Sequence, residues 1–416
     1  MIPEGWKERP LSQLVSRLDA GVSVNSGDRQ SDGVEPGILK TSCVSNGVFR
    51  PQENKVVNSE VEIIRLAESV KAGSIIISRM NTPALVGANA LIKRDFQYLF
   101  LPDRLWQAKP RNSKVDMPWL AYYLGSPRGR HALSAGATGT SGSMKNISKS
   151  DVFAIRLLVP PLSEQKRIAE ILSTWDRAIE TTEKLIANSE AQKKALMQQL
   201  LTAKKRLPGF SGEWKAVAFN ELFERVRDKN VELNENVLTI SAQHGLVSQT
   251  EYFKKSVAGR DLSGYTLIKQ GDFAYNKSYS AGYPMGAIKP LEHYHKGIVS
   301  SLYICFRVLG RSAHHDFYRH YFEGSYFNKE IYGIAQEGAR NHGLLNVSVT
   351  DFFSARIVAP QIEEQKAIAS VINAAEHEII KLETLCRDLK AEKSALMQQL
   401  LTGKRRVKLD KEVEAT

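Results

Sequence analysis

The chain has 416 residues, of which 42% are hydrophobic and 25% are charged. At about 100 to 200 residues per domain this length predicts two to four folded units, and the composition excludes a wholly disordered or fibrous chain. The net charge of +12 favours a polyanionic partner without identifying it, since many basic proteins bind nothing acidic.

The first predicted domain covers residues 1–158 and has mixed secondary structure. An apolar run after a turn at residues 73–78 predicts a strand, and residues 119–124 predict a helix. The loop at residues 138–146 is rich in glycine and hydrogen-bond donors, so its backbone can approach a ligand closely. These features predict an α+β domain.

The next segment, residues 159–206, predicts one long helix. Pro160 and Pro161 precede Ser163 and Glu164, which predict an N-cap followed by an acidic first turn. Apolar residues then recur at alternate steps of four and three, the heptad spacing of a coiled coil. A helix over residues 163–203 is roughly 60 Å long. We expect its seam to contain Ile168, Leu172, Trp175, Ile179, Leu196 and Leu200.

The second predicted domain covers residues 207–358 and repeats the pattern of the first. Residues 271–276 predict a strand after a turn, and residues 317–322 predict a helix. A polar loop at residues 337–343 again lies before the next long helix. We therefore expect a second α+β domain.

The last segment, residues 359–416, repeats the long helix and reveals a tandem duplication. The sequence of residues 195–202 recurs letter for letter at residues 395–402. The seam recurs in the same register, at Ile368, Ile372, Ile379, Leu382, Leu396 and Leu400. Identical registers predict that the two helices pair as an antiparallel coiled coil about a pseudo-two-fold axis. The alternative is that each helix covers only its own domain as an amphipathic lid.

Motifs for catalysis are missing from the sequence. It contains no GxxxxGK[ST] phosphate loop and no GxGxxG. Five histidines lie close together in sequence and leave open a metal-dependent hydrolase: His293, His295, His314, His315 and His320. The first domain has no matching histidines, so polar loop residues are the simpler interpretation. A coiled-coil adaptor that binds only protein is a further alternative.

Neither secretion nor a disulfide framework is indicated. No run approaches the roughly 18 apolar residues of a membrane-spanning helix, and the first residues lack the basic and apolar blocks of a signal peptide. We expect no membrane contact and a cytoplasmic location. Cys43, Cys305 and Cys386 are scattered, which predicts buried thiols rather than disulfides or a thiolate metal site.

With its duplicated helices and the Pro-Pro-Leu-Ser-Glu-Gln-Lys block at residues 160–166, the chain resembles the specificity (S) subunit of type I restriction-modification systems over essentially its whole length. Residues 360–366 lack the second proline of that block, which is a mild departure. The element at residues 73–79 and 271–277, and Gly5-Trp6 near the start, are similar to recurring features of the family's target recognition domains.

The resemblance implies two α+β target recognition domains joined by two long helices, and a subunit that is not itself a catalyst. Its partners would be double-stranded DNA with a bipartite, asymmetric target, two methyltransferase (M) subunits and, through them, restriction (R) subunits. This chain would hold no cofactor. S-adenosylmethionine would be bound by the M subunits, and ATP and Mg²⁺ by the R subunits, in a bacterial or archaeal cytosol.

Residues for DNA contact are predicted from their position and chemistry. Arginine and lysine suit guanine and phosphate, while asparagine and glutamine suit adenine. In the first domain we expect contacts from Arg79, Ser141, Lys145 and Asn146. In the second domain we expect contacts from Gln243, Lys277, Tyr279, Arg340 and Asn341. For each, the alternative is a solvated surface residue.

Overall fold

A computed structural model describes residues 2–45, 47–139, 144–241, 244–253, 261–279, 282–335 and 345–409. It divides into two compact units. Unit 1 contains residues 1–182 and 385–416, and unit 2 contains residues 183–384. Each unit therefore combines one α+β domain with part of both long helices. Among the helices that this structure describes, none is long and apolar enough to cross a membrane.

Unit 1 contains twelve strands and four short helices, followed by a long helix. The strands are β1 (Lys7–Pro10), β2 (Val15–Ala20), β3 (Gly37–Leu39), β4 (Asn54–Val56), β5 (Ser69–Val70), β6 (Ile75–Ser78), β7 (Met80–Asn81), β8 (Asn89–Leu91), β9 (Phe96–Phe100), β10 (Leu105–Pro110), β11 (Lys145–Asn146) and β12 (Arg156–Val159). The helices are α1 (Glu60–Ile64), α2 (Met117–Gly125), α3 (Pro127–Ala135), α4 (Lys149–Ala154) and α5 (Leu162–Leu200), which continues into unit 2.

The strands of unit 1 form two four-stranded sheets, in the orders β2-β10-β6-β8 and β4-β3-β9-β5, and two ribbons, β1-β12 and β7-β11. The apolar run Ile75–Ile77 is fully buried in β6, between two neighbouring strands. Trp106 and Trp119 fill the main core together with the start of α5. Side chains on both faces of β6 are thus removed from water, which explains why an uninterrupted apolar run forms this strand.

Unit 2 repeats this design with different side chains. Its strands are β13 (Lys215–Ala218), β14 (Phe223–Arg225), β15 (Leu238–Ser241), β16 (Gly245–Ser248), β17 (Thr266–Lys269), β18 (Phe273–Asn276), β19 (Ala287–Pro290), β20 (Lys296–Val299), β21 (Ile304–Val308) and β22 (Arg356–Ala359). Its helices are α6 (Phe219–Leu222), α7 (Gln249–Phe253), α8 (His315–Glu323), α9 (Asn328–Ile334), α10 (Val349–Ser354) and α11 (Ile362–Leu401), which continues into unit 1.

The main sheet of unit 2 has the order β14-β21-β18-β19, which matches β2-β10-β6-β8 of unit 1. Its core is aromatic: the Phe219 ring lies 4.8 Å from Phe352 and 5.0 Å from Phe306, both edge to face. Such pairs add about 0.5–1.5 kcal/mol each beyond their buried area. The predicted strands at 73–78 and 271–276 and the predicted helices at 119–124 and 317–322 are therefore confirmed as β6, β18, α2 and α8.

The two long helices pair antiparallel in each unit. In unit 1, Asp176 of α5 pairs with Lys393 of α11, and Glu164, earlier in α5, pairs with Arg406, beyond the end of α11. Unit 2 has the equivalent ion pairs Glu376–Lys193 and Glu364–Arg206. Partner numbers fall along one helix as they rise along the other, and a displacement of 200 residues exchanges the two sets. The predicted antiparallel pairing of the two helices is confirmed within each unit.

The seam residues are buried most deeply at the helix ends. Ile168, Leu172, Ile368 and Ile372 are at most 1% exposed because they also join the cores of the α+β domains. Trp175, Ile179, Leu196, Leu382 and Leu396 are partly exposed. The helices therefore pair with each other and, at their ends, also cover their domains.

The predicted N-cap of the first long helix, Ser163, was wrong by two residues. The helix begins at Leu162, and the carbonyl oxygen of Pro161 accepts the Gln165 N–H, so Ser163 lies inside the first turn. Gln361 accepts the same bond in the second helix, which explains why a proline is not needed there. The N-cap requires only a free carbonyl on a residue that is itself outside the helix.

Candidate nucleic-acid interface

Three of the four predicted DNA contacts of the first domain meet at one edge of unit 1. Arg79 joins β6 to β7, and β7 pairs with β11, which consists of Lys145 and Asn146. The backbone N–H of Ile147 donates to the Arg79 carbonyl oxygen at 2.9 Å. The pairing brings together residues that are more than 60 positions apart in sequence. Ser141 lies outside the described residues.

Arg79 is held from one side by the protein. Its Nε donates to the Asp103 carbonyl oxygen at 2.7 Å, and its guanidinium carbon lies 5.7 Å from the centre of the Trp106 ring. Asp103 also places a carboxylate oxygen 3.8 Å from Nη2, and 27% of the Arg79 side chain remains exposed. This geometry fixes the direction of the guanidinium, whose other N–H groups suit a phosphate or a guanine.

Lys145 and Asn146 offer a second set of polar groups at this edge. Lys145 Nζ donates to the Gly139 carbonyl oxygen at 3.0 Å. The Asn146 Oδ1 atom is buried and has no hydrogen-bond partner among the residues that the structure describes. The Asn146 side chain as a whole is partly exposed, and an asparagine amide suits the hydrogen-bonding edge of an adenine.

Two further arginines at this edge were not predicted. The exposed Arg104 accepts the Arg79 N–H with its carbonyl oxygen. Arg130 Nη2 donates to the Ala84 carbonyl oxygen at 3.1 Å, and its buried Nη1 has no partner in the described part of the chain. Burial alone lowers the pKa of Arg130, with no carboxylate acting against it. Neither arginine lies in the repeated element, so the sequence carried no signal for them.

The second domain repeats the backbone connection of this edge. Lys277 follows β18, and its carbonyl oxygen accepts the Leu345 N–H at 3.0 Å, as that of Arg79 accepts from Ile147. The two connections are displaced by 198 residues in sequence. Tyr279 lies two residues after Lys277 and is 65% exposed. An exposed aromatic ring of this kind can stack on a nucleic-acid base. Gln243, Arg340 and Asn341 lie outside the described residues.

The Glu-Gln pair at each long-helix start has a structural role. Glu164 is 4% exposed, and it accepts hydrogen bonds from Trp6 Nε1 at 3.2 Å and from the Arg406 guanidinium. Gln165 Oε1 accepts the N–H of Asp116, the N-cap of α2. Glu364 and Gln365 make the equivalent contacts with Trp214, Arg206 and the His314 N–H. Through these hydrogen bonds, the repeated Glu-Gln motif fixes the start of each long helix to its α+β domain.

The histidines do not form a metal site in the described structure. In the part of the chain that the structure describes, no group of three or more His, Cys, Asp or Glu side chains could hold a metal ion. His320 instead contacts Asn373, and His315 contacts Asp316, while His293 and His295 are exposed. The metal-dependent hydrolase is therefore not favoured. All three cysteines are buried free thiols, as predicted.

Comparisons with known proteins point to one family. A family model described as "Type I restriction modification DNA specificity domain" matches residues 3–190. The MjaVIII specificity subunit of Methanocaldococcus jannaschii is 23% identical over 98% of this chain and 94% of its own length. The EcoKI specificity subunit of Escherichia coli is 28% identical over 51% of this chain and 44% of its own length.

Solved structures show the same fold. The S subunit of a type I system from M. genitalium gives a TM-score of 0.56 at 15% identity, covering 96% of both chains. A chain from a structure of type I system assembly and conformational transition also gives a TM-score of 0.56, covering 97% of this chain and 100% of that one. This chain therefore shares its fold, α+β domains combined with long helices, with these solved chains.

Proposed function

Because the chain belongs to the specificity-subunit family of type I restriction-modification systems, we propose that it recognises a bipartite DNA target and positions two methyltransferase subunits on it. Such subunits bind DNA and assemble with M and R subunits, and they are not catalysts. The observation that carries the proposal is the repeated connection after β6 and β18, which supports two comparable DNA-binding edges on domains of different sequence. Unequal domains suit two unequal half-sites.

We propose that DNA contact in the first domain comes from Arg79, Lys145 and Asn146, with Arg104 and Arg130 added. The four cations suit phosphates, and the partly exposed Asn146 amide suits a base edge. Ser141 stays a prediction for the adjoining loop. In the second domain the proposed contacts are Gln243, Lys277, Tyr279, Arg340 and Asn341. The boundaries 1–158, 159–206, 207–358 and 359–416 are the proposed functional divisions.

A stoichiometry of two M subunits is supported by the repeated sequence at the helix ends. Residues 195–202 and 395–402 are identical, yet Gln198, Gln199, Gln398 and Gln399 are exposed. Internal packing does not require exposed side chains to be the same in both copies. Two equal surfaces suit two copies of one partner, and R subunits would join through M.

Sequencing of methylated adenines tests the proposal. Cells that carry this chain with its M subunit should methylate one asymmetric, two-part sequence, and cells that carry either chain alone should not. Purified S chain should transfer no methyl group from S-adenosylmethionine until M is added. Transfer by the S chain alone, or methylation by M with unchanged sequence preference in its absence, would refute the assignment.

Charged substitutions at Leu196 and Leu396 test the helix scaffold. Both side chains are partly buried against the cores of their units, and burial of such a residue is worth about 2 to 5 kcal/mol. The double variant should lose M subunits in size-exclusion chromatography with light scattering. The comparison variant replaces the exposed Gln198 and Gln398 by alanine. It keeps the helix pair and changes only the surface proposed for M, so it separates loss of that surface from loss of the helix pairing. Two M subunits still bound to the Leu variant would contradict the scaffold role.

A further inference from the structure

The domain of unit 2 is fixed to the long helices by a network of charged and polar side chains. Arg319 of α8 donates from Nη2 to Glu376 Oε2 at 2.6 Å and to Asn373 Oδ1 at 2.9 Å, both on α11. Lys193 of α5 pairs with the same carboxylate. Burial by itself would raise the pKa of Glu376, but the hydrogen bonds from Arg319 and Lys193 outweigh it and lower that pKa to about 2.

The network continues along α8. His320 is 1% exposed, and its Nε2 lies 2.7 Å from Asn373 Oδ1. Asn373 Nδ2 donates to Asp316 Oδ2 at 2.8 Å, and Asp316 Oδ1 lies 2.9 Å from His315 Nδ1. Asn373 therefore uses both its amide oxygen and its amide nitrogen, and a shorter or apolar side chain there would leave several buried groups without partners.

The domain of unit 1 is fixed at the equivalent place by a different and smaller set. Tyr122 of α2 corresponds to His320, and its hydroxyl donates to Asp176 at 2.5 Å. Lys393 pairs with Asp176 and lies 5.4 Å from the centre of the Tyr122 ring. Ala121 stands where unit 2 has Arg319, and Ser173 stands where it has Asn373.

Apolar packing at the two places is chemically alike. Ile168 and Leu172 face the first domain, and Ile368 and Ile372 face the second. Such similar surfaces cannot distinguish one α+β domain from the other. The polar sets can, because Arg319 at the equivalent place of unit 1 would meet the shorter Asp176 and no amide, and a buried guanidinium with incomplete partners costs far more than a lost methylene.

We propose that these polar sets are docking determinants that assign each recognition domain to its own place on the paired helices. We call the helix surface under α2, with Ser173, Asp176 and Lys393, the first seat, and that under α8, with Asn373, Glu376 and Lys193, the second seat. These are positioning residues, not DNA contacts. The inference deepens the proposed function, since the order of the domains sets the order of the half-sites, but its structural test needs neither DNA nor M.

The test exchanges the domains, so that residues 207–358 precede α5 and residues 1–158 precede α11. One version keeps the natural seats, and the other exchanges them with S173N, D176E, N373S and E376D. Hydrogen exchange by mass spectrometry then follows the amides of α8, which occurs once in each chain. Protection of α8 should fall by at least about tenfold on the first seat and return when the seats are exchanged too. Equal protection in both versions would overturn the proposal.

A second arm keeps the natural domain order, in case the exchanged chain does not fold. N373S with E376D should lower the protection of α8, because Arg319 loses the Asn373 amide and meets a shorter carboxylate, although Glu292 stays 3.6 Å from its Nε. R319A added to it should recover part of the loss, because no guanidinium with incomplete partners is then left in the seat. S173N with D176E is the matched control, and it should leave α8 unchanged. Unaltered α8 protection in N373S/E376D would also overturn the proposal. The proposed DNA function would survive either failure, because methylation of the natural chain tests it separately.

Discussion

Acid should weaken unit 2 through His320, which lies buried at the second seat. Burial, and then the charge of Arg319, lower the pKa of His320 to about 4, well below the usual value near 6.5. The other charged or titratable groups of the network are Asp316, Glu376, Glu292, Lys193, Arg319 and His315. The pKa of Asp316 is lowered, first by its hydrogen bond with His315, so this carboxyl stays ionised at mildly acid pH.

The direction of the change in stability with pH follows from proton uptake by His320. The unfolded chain protonates this histidine below about pH 6.5, while the folded chain does so only below about pH 4, so stability falls as the pH decreases through that window. The loss is about 2 kcal/mol by pH 5 and about 3 kcal/mol by pH 4. Glu376, with its pKa lowered to about 2, contributes stability that is lost only at still lower pH. Between pH 7.5 and 5 His320 therefore dominates this network.

Native-state hydrogen exchange at pH 7.5 and pH 5, corrected for the intrinsic exchange rate at each pH, measures this loss for the amides of α8. H320Q is the matched variant, because glutamine can still donate to Asn373 but does not titrate. When the pH is lowered from 7.5 to 5, the opening free energy of α8 should decrease more in the natural chain than in H320Q. Helix α2, which has Tyr122 in the equivalent place, is the internal control. Equal pH dependence of α8 in both proteins would refute the reasoning.

Three further predictions concern DNA contact, helix ends and spacing. Alanine at Arg79 or Lys277 should cost about 1 to 3 kcal/mol and relax one target position if the residue contacts a base, or lower the salt slope by about one if it contacts phosphate; unchanged affinity and slope would exclude both. Ala203→Gly should stabilise the chain by about 1 kcal/mol in urea titration, because Ala203 has φ 58°. Gly403→Ala should destabilise it, because φ is 70° and a Cβ would lie 2.4 Å from Pro3 Cγ; opposite signs would contradict this account. Four residues inserted at equivalent positions in both long helices add about 6 Å, close to two base pairs, so methylated-adenine sequencing should show a longer spacer with unchanged half-sites.

The duplication and the long helices could be predicted because their signals are periodic or repeated in the sequence itself. Strand β6 and helix α2 were also predictable from short apolar patterns. The seats were not, because their partners lie far apart: Arg319 and Glu376 are 57 residues apart, and Asp176 and Lys393 are 217 apart. A local sequence pattern cannot predict which distant side chain will contact a given charged residue.

The candidate DNA edge was predictable only in part, for a related reason. The repeated element indicates Arg79, and the structure shows that Asp103 and Trp106 contact it. Arg104 and Arg130 reach the same edge from a turn and a helix outside that element. Chain folding, and not sequence distance, decides which cations share a surface. A count of basic residues could not have identified them.

The pattern of identity between the copies follows from what each helix position contacts. Glu164 and Glu364 are the same residue because their partners, a tryptophan and an arginine, are themselves duplicated. Ser173 and Asn373 differ because they occupy the two seats, where the domains bring Ala121 and Arg319. In these two pairs of positions, the helix residue is the same where its contacts are the same and differs where they differ. It follows that a new recognition domain can be accepted without change at Glu164 or Glu364, but that the seat residues must suit the helix that the new domain brings.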